Sequence, residues 1–128
     1  PQLPCPVGIV TNGERLTSRH AQELIEQGVG FFHVSVPAAR EQTARLVAPG
    51  LDFNRVVANL KTLLRRWGDH IPVAVNCVVT EANRAEKAAI NHFWRSRGAV
   101  AVYAAQEHNR EKYNESWPHD GFATLSFI

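Results

Sequence analysis

The sequence predicts an α/β fold, a partial TIM-like (βα) barrel with a curved, four-stranded parallel sheet and helices on its outer face. Short apolar runs alternate with stretches of helical periodicity along most of the chain. Each of the first three runs contains or is followed by a polar residue, and these residues are Thr11, Ser35 and Asn76. The run Val73–Val79 is apolar at nearly all of its positions, which is typical of parallel strands that are buried on both faces.

The first predicted strand covers residues 7–10 and stops at the Asn12-Gly13 turn. Apolar residues at helical spacing follow it, and either Thr17 or Ser18 is in position to cap the helix that they predict. Gly28 ends this helix, since glycine is the favoured residue just past a helix terminus.

The second predicted strand covers residues 31–36, where Pro37 stops it by removing a backbone donor. A short helix is predicted over residues 39–46. The clearest helix of the chain follows, with Asp52 as its cap, apolar residues at i, i+3, i+4 and i+7 spacing, and Gly68 at its end.

The third predicted strand is Val73–Val79, and the fourth covers residues 100–104. Between them Asn83 and Glu86 have the three-residue spacing of a capping box, and Gly98 ends the helix that they would start. Right-handed crossovers between parallel strands then place all the helices on one side of the sheet.

The 128 residues fit one domain, with residues 1–106 forming the βα body and residues 107–128 forming a polar tail. Within the tail, residues 122–128 alternate between apolar and polar side chains, which predicts a strand that folds back over an edge of the sheet.

Strand alternation assigns side chains to the two faces of the sheet. It places Cys77 on the helix side, as a small core residue. The polar residues predicted for the concave side are Thr11, His33, Ser35, Asn76 and Tyr103. Two interpretations stay open for them: they face a ligand, or they bond to one another and to water.

Composition excludes several classes of function. Net charge is +2, from 14 basic and 12 acidic residues, so no nucleic-acid surface is expected. No apolar run approaches the ~20 residues of a membrane span, and the two cysteines make no disulfide framework. We therefore expect a cytoplasmic protein without membrane contact. The chain starts at Pro1 and contains no Met, which fits both a small complete reading frame and a fragment of a larger one.

Five segments together resemble the radical S-adenosylmethionine superfamily, in the branch similar to the molybdenum-cofactor and peptide-modifying enzymes. Three of them resemble successive strand motifs of that family: residues 9–13 (IVTNG), 33–36 (HVSV) and 75–79 (VNCVV). Residues 51–60 (LDFNRVVANL) and 93–98 (FWRSRG) resemble its helical segments. The resemblance spans residues 7–106 and implies strands three to six of the family's barrel, so residues 1–106 would form a partial radical S-adenosylmethionine-like domain.

The resemblance also implies cofactor-binding positions. Thr11 corresponds to a contact with the methionine end of S-adenosylmethionine, Ser35 to a ribose contact, and Asn76 to a strand that touches the cofactor. The family's CxxxCxxC cluster loop and its Gly-Gly-Glu motif are missing, and Pro37 stands where the family has an acidic residue. Three converging thiolates hold such clusters, so no iron–sulfur cluster is expected, and S-adenosylmethionine binding, if present, is expected to be weak.

These expectations combine into one functional hypothesis, an incomplete radical S-adenosylmethionine-type domain that is not catalytic alone and has no catalytic or metal-ligating residues. A homo-oligomer, or a partner chain that completes the barrel, is expected to cover its unpaired strand edges. The alternative hypothesis is a non-catalytic module that binds a ligand or a protein.

Overall fold

The computed structural model describes residues 7–106 and 123–124, and it has an α/β architecture. Its elements are β1 (Val7–Thr11), α1 (Ser18–Glu26), β2 (Val29–Ser35), α2 (Glu41–Val47), α3 (Phe53–Trp67), β3 (Val73–Val79), the 3-10 turn η1 (Arg84–Glu86), α4 (Lys87–Arg95), β4 (Ala101–Gln106) and β5 (Ala123–Thr124). No helix within the described ranges is both long and apolar enough to cross a membrane.

The sheet is parallel throughout, with the strand order β4-β3-β2-β1-β5. The first four strands are therefore neighbours in the order in which the chain makes them, as the sequence predicts. In such a sheet each right-handed crossover returns on the same side. This confirms the predicted α/β class and the predicted parallel pairing of the first four strands.

One face of the sheet, which we call the helix face, carries the main core. Its strand residues Phe32, Val34 and Val75 are fully buried and pack in one cluster with Leu60 of α3 and Ile90 of α4. Burying each such side chain stabilises the fold by about 1.5–3 kcal/mol. All four helices contribute buried residues to this one cluster, which places them together on the helix face.

The ends of α1 and α3 follow their predicted caps. Thr17, and not Ser18, is the N-cap of α1, since its Oγ1 accepts a hydrogen bond from the His20 backbone N–H at 3.2 Å. Asp52 caps α3 by accepting from the Arg55 N–H at 3.2 Å. Gly28, with φ of 107°, follows α1 in the left-handed conformation that glycine adopts at little cost.

The other side of the sheet, which we call the opposite face, carries Phe31, His33, Ser35, Ala74, Asn76 and Tyr103. Phe31 and Ala74 are buried there, and Tyr103 packs against them. The His33 and Tyr103 rings lie 6.4 Å apart between centroids. Ser35, Asn76 and Tyr103 occupy successive partner positions across β2, β3 and β4, so the three side chains share one row, as alternation predicts.

The C-terminal strand β5 pairs with β1, where Ala123 is the partner of Val7 and Thr124 is the partner of Gly8. These two residues fall inside the segment for which an edge strand is predicted. The rest of that prediction, together with residues 107–122 of the tail, lies outside the described residues.

Candidate functional site

A cavity of about 380 Å³ lies at the carboxyl ends of β1, β2 and β3. Parallel βα folds build their ligand sites at this edge. The chain segment between α2 and α3 forms the wall across from the strands. The lining residues are Asn12, Glu14, Ser35, Val36, Pro37, Val47, Ala48, Gly50, Leu51, Asn76 and Val78.

Ser35 and Asn76 are the central polar pair of this cavity. They are direct partners in the β2–β3 register, and the Val36 N–H donates to the Asn76 carbonyl oxygen at 2.8 Å just beyond them. Both side chains are partly exposed, and among residues 7–106 neither makes a side-chain hydrogen bond. A hydroxyl and a carboxamide are thus placed side by side, with donors and acceptors that a ligand can reach.

Thr11 does not join this pair, and the prediction that it faces the concave side is wrong. Its register partner is Val34, a fully buried residue of the helix face, and it shares that face with Ile9. Thr11 is 1% exposed, and its Oγ1 accepts from the Gly13 N–H at 3.0 Å. The hydroxyl therefore stabilises the turn after β1, a common use of threonine in loops. Its assigned contact with a cofactor stays an untested prediction.

Asn12 and Glu14 line the cavity after β1, whereas Thr11 does not. The loop that carries them is firmly held: Asn12 Oδ1 accepts from the Glu14 N–H at 3.0 Å. Asn59 Nδ2 on α3 donates to the carbonyl oxygens of Gly13 and Glu14 at 2.9 and 3.1 Å. Gly13 has φ of 81°, and a Cβ there would lie 3.0 Å from Val34 Cγ1, so the tight turn needs glycine.

Asn83 holds the loops that follow β2 and β3. It is 1% exposed, and its Nδ2 donates to the carbonyl oxygens of Pro37 at 2.8 Å and Val78 at 3.0 Å. Its Oδ1 accepts from the Thr80 N–H at 2.8 Å. The predicted capping box is therefore wrong, since Asn83 makes no side-chain hydrogen bond to the helix that follows. The long-range bond from its amide to Pro37 could not be read from a three-residue spacing.

Glu86, the other half of the predicted capping box, is a buried carboxylate that also bonds across the chain. It is 7% exposed and accepts from the Ala39 N–H at 2.6 Å, from the Thr43 hydroxyl, and from Arg40 Nη2 at 3.3 Å. Burial by itself raises the pKa of Glu86. The hydrogen bonds from Thr43, Ala39 and Arg40 outweigh burial and hold this pKa below its ordinary value.

Cys77 packs in the core of the helix face and is 1% exposed, which confirms its predicted place. Burial, followed by the negative charge of Glu86, raises the pKa of its thiol to about 11. Since the thiolate is the reactive form, this cysteine is a structural residue. Within the described ranges, no three His, Cys, Asp or Glu side chains come together as metal ligands.

The chain matches no protein-family model, no curated protein and no solved structure. The resemblance to the radical S-adenosylmethionine superfamily therefore stays an expectation from the sequence. The functional interpretation depends on the residues of the cavity itself.

Proposed function

We propose that this chain binds a small organic ligand in the cavity at the ends of β1, β2 and β3, and that it does not catalyse a reaction alone. The observation that carries the proposal is the Ser35–Asn76 pair within a cavity whose other walls are largely apolar. A few polar groups that orient a ligand, set among apolar contacts, are typical of small-molecule sites, and about 380 Å³ lies within their usual range of about 300–1,000 Å³.

The charge of the lining residues indicates which class of ligand the cavity favours. Among the described residues that line the cavity, Glu14 is the one that carries a charge, and none is basic. A ligand with an ammonium or sulfonium group would be attracted by this carboxylate, whereas a phosphate group would be repelled. S-adenosylmethionine has such positive groups and a flat aromatic adenine ring whose faces can pack on apolar walls. It is also the ligand that the sequence resemblance implies. We therefore propose S-adenosylmethionine, or a nucleoside fragment of it, bound weakly.

Isothermal titration calorimetry with S-adenosylmethionine tests this proposal. We expect a Kd of roughly 0.1–1 mM for the unmodified chain. Asn76→Ala and Ser35→Ala should each weaken binding by about 2–10-fold, the effect of one lost hydrogen bond. Matched controls are Asn91→Ala and Ser96→Ala, which change exposed residues at α4 away from the cavity. Equal affinity in all five proteins, or no binding to the unmodified chain, would contradict the proposal.

Glu14→Gln separates the role of charge from the role of the cavity. This variant should weaken S-adenosylmethionine, which is cationic, more than 5′-methylthioadenosine, which has no positive group. Equal losses for both ligands would show that Glu14 contributes no charge selectivity.

A second candidate function is association with another chain that would complete a barrel, and three features of the parallel sheet support it. The strand order is sequential from β1 to β4, the four helices share one face, and β4 has one strand neighbour among the described residues. An unpaired edge offers backbone donors and acceptors to a further strand. A homo-oligomer, or a complementing barrel partner, would satisfy them.

Size-exclusion chromatography with light scattering tests this second candidate at micromolar concentrations. We expect a mass of at least twice the 14.3 kDa of one chain. Replacing Ala104 in β4 with proline removes a backbone donor and should shift the protein towards the monomer. A monomer at all concentrations would contradict self-association and leave the ligand proposal standing.

A further inference from the structure

Asn83 does not line the cavity, yet the two carbonyl oxygens to which its Nδ2 donates belong to residues that do, Pro37 and Val78. The same Nδ2 also lies 3.5 Å from the buried Cys77 sulfur. Pro37 belongs to the segment that follows β2, and Val78 belongs to β3. One carboxamide therefore joins two neighbouring walls of the cavity. A hydrogen bond from the Thr80 N–H to Asn83 Oδ1 ties the same side chain to the end of β3.

Pro37 stands where the backbone ladder ends and this bridge begins. The β2–β3 ladder runs to the Ser35–Asn76 pair, and the Val36 N–H makes the next bond to the Asn76 carbonyl oxygen. Pro37 has no N–H and follows the end of β2. Its carbonyl oxygen accepts a hydrogen bond from Asn83 Nδ2 at 2.8 Å, from inside the protein.

We propose that Asn83 is a positioning residue of the cavity, which fixes the separation between the Pro37 and Val78 walls and thereby sets ligand affinity. This inference rests on the proposed ligand-binding function. Ser35 lies two residues before Pro37, and Asn76 lies two residues before Val78. A shift of one wall therefore changes the distance between the polar pair and a bound ligand. A misplacement of this kind lowers affinity without removing any group that touches the ligand.

The contacts of Glu86 should keep the protein folded when those of Asn83 are removed, so an effect on ligand affinity can be measured separately from unfolding. Glu86 lies three residues further along and holds the Ala39 N–H and the Thr43 hydroxyl through its own carboxylate. When the Asn83 contacts are lost, the loop after β2 is still attached to η1 through Glu86. The predicted consequence is a native fold with an altered cavity.

Asn83→Asp is the sharpest test, because it keeps the size of the side chain and replaces the two donors with an oxygen facing two carbonyl oxygens. We expect S-adenosylmethionine affinity to fall at least 10-fold, measured by calorimetry well below the unfolding midpoint. Ile90→Val is the stability control: it removes one methyl group from the buried side of α4, away from the cavity, and should leave affinity unchanged.

Hydrogen exchange in the unmodified chain provides a second measurement that does not depend on the folding of a variant. If Asn83 links the walls to the ligand, saturating S-adenosylmethionine should slow exchange of the Thr80 amide more than that of the Ser96 amide, which lies at the end of α4. Equal protection of both amides, or full affinity in Asn83→Asp, would overturn the inference while the binding proposal stands. Absence of binding to the unmodified chain would overturn both.

Discussion

Replacing Gly8 with alanine should destabilise the fold by about 3 kcal/mol, near the top of the usual range for overpacked cores. A Cβ at position 8 would lie 1.9–2.3 Å from three ring carbons of Phe31, the residue paired with Gly8 across β1 and β2. Phe31 is 2% exposed, so its ring has little room to move aside. Urea unfolding followed by circular dichroism measures the effect as a lower midpoint.

The chain offers a matched control and a rescue for this prediction. A Cβ at Gly50 would have no neighbour within 4 Å, so Gly50→Ala should change the free energy of unfolding by no more than about 1 kcal/mol. In the double variant Gly8→Ala/Phe31→Leu, a shorter side chain makes room for the new methyl group. We expect a coupling free energy of about 1–2 kcal/mol between the two positions. A Gly8→Ala protein as stable as Gly50→Ala would show that Phe31 does not lie across β1.

The parts of the fold that the sequence predicts are those set by local periodicity. In α3 the apolar residues follow one helical stripe, and the structure buries that stripe from Phe53 to Leu64 between the Asp52 cap and Gly68. Alternation in β2 correctly assigns Phe32 and Val34 to the helix face, and His33 and Ser35 to the opposite face. The assignment is firm because a shift of one residue would turn every side chain of the strand to the wrong face. In both cases the residues that decide the outcome are close in sequence.

Thr11 shows where this reasoning fails. Its position at a strand end groups it with Ser35 and Asn76, but alternation from Ile9 places it on the helix face. The position of a polar residue at a strand end does not decide its face; the count of residues along the strand does. Asn12, one residue later, lines the cavity instead.

Asn83 and Glu86 show a second limit. Their spacing is that of a local helix cap, but their side chains bond to residues about 46 positions away in sequence, such as Pro37 for Asn83 and Arg40 for Glu86. Periodicity carries no information about such contacts. The wall formed between α2 and α3 was missed for the same reason, since its residues meet the strand ends only in three dimensions.

Glu86→Gln should lower the free energy of unfolding by about 1.5–3 kcal/mol at pH 7, the usual contribution of hydrogen bonds to a charged group. The glutamine keeps one acceptor oxygen but loses the charge that the Thr43 hydroxyl and the Ala39 N–H now stabilise. The effect should also depend on pH, because the pKa of Glu86 is lower in the folded protein than its ordinary value of 4.5.

The direction of the pH dependence follows from proton binding. Between the ordinary pKa and the lower folded pKa, the unfolded chain binds more protons at Glu86 than the folded chain does, so stability rises with pH. The contribution of Glu86 is thus fully present above pH 4.5 and is lost as the pH falls through the folded pKa. Urea midpoints measured from pH 7 down to pH 3 should show the unmodified chain losing its advantage over Glu86→Gln.

Exposed Glu81 gives the control, since Glu81→Gln should change stability by no more than about 0.5 kcal/mol.

The partners of Glu86 should contribute unequally to its stabilising effect. The Arg40 side chain is 70% exposed, and its Nη2 lies 3.3 Å from the nearer Glu86 carboxylate oxygen. Arg40→Met should therefore lower the free energy of unfolding by about 0.5 kcal/mol or less. Thr43 is buried, and Thr43→Val leaves the carboxylate without that donor, so it should cost about 1–3 kcal/mol. The reverse order of these two losses would mean that an exposed ion pair, and not the buried hydrogen bonds, keeps Glu86 charged.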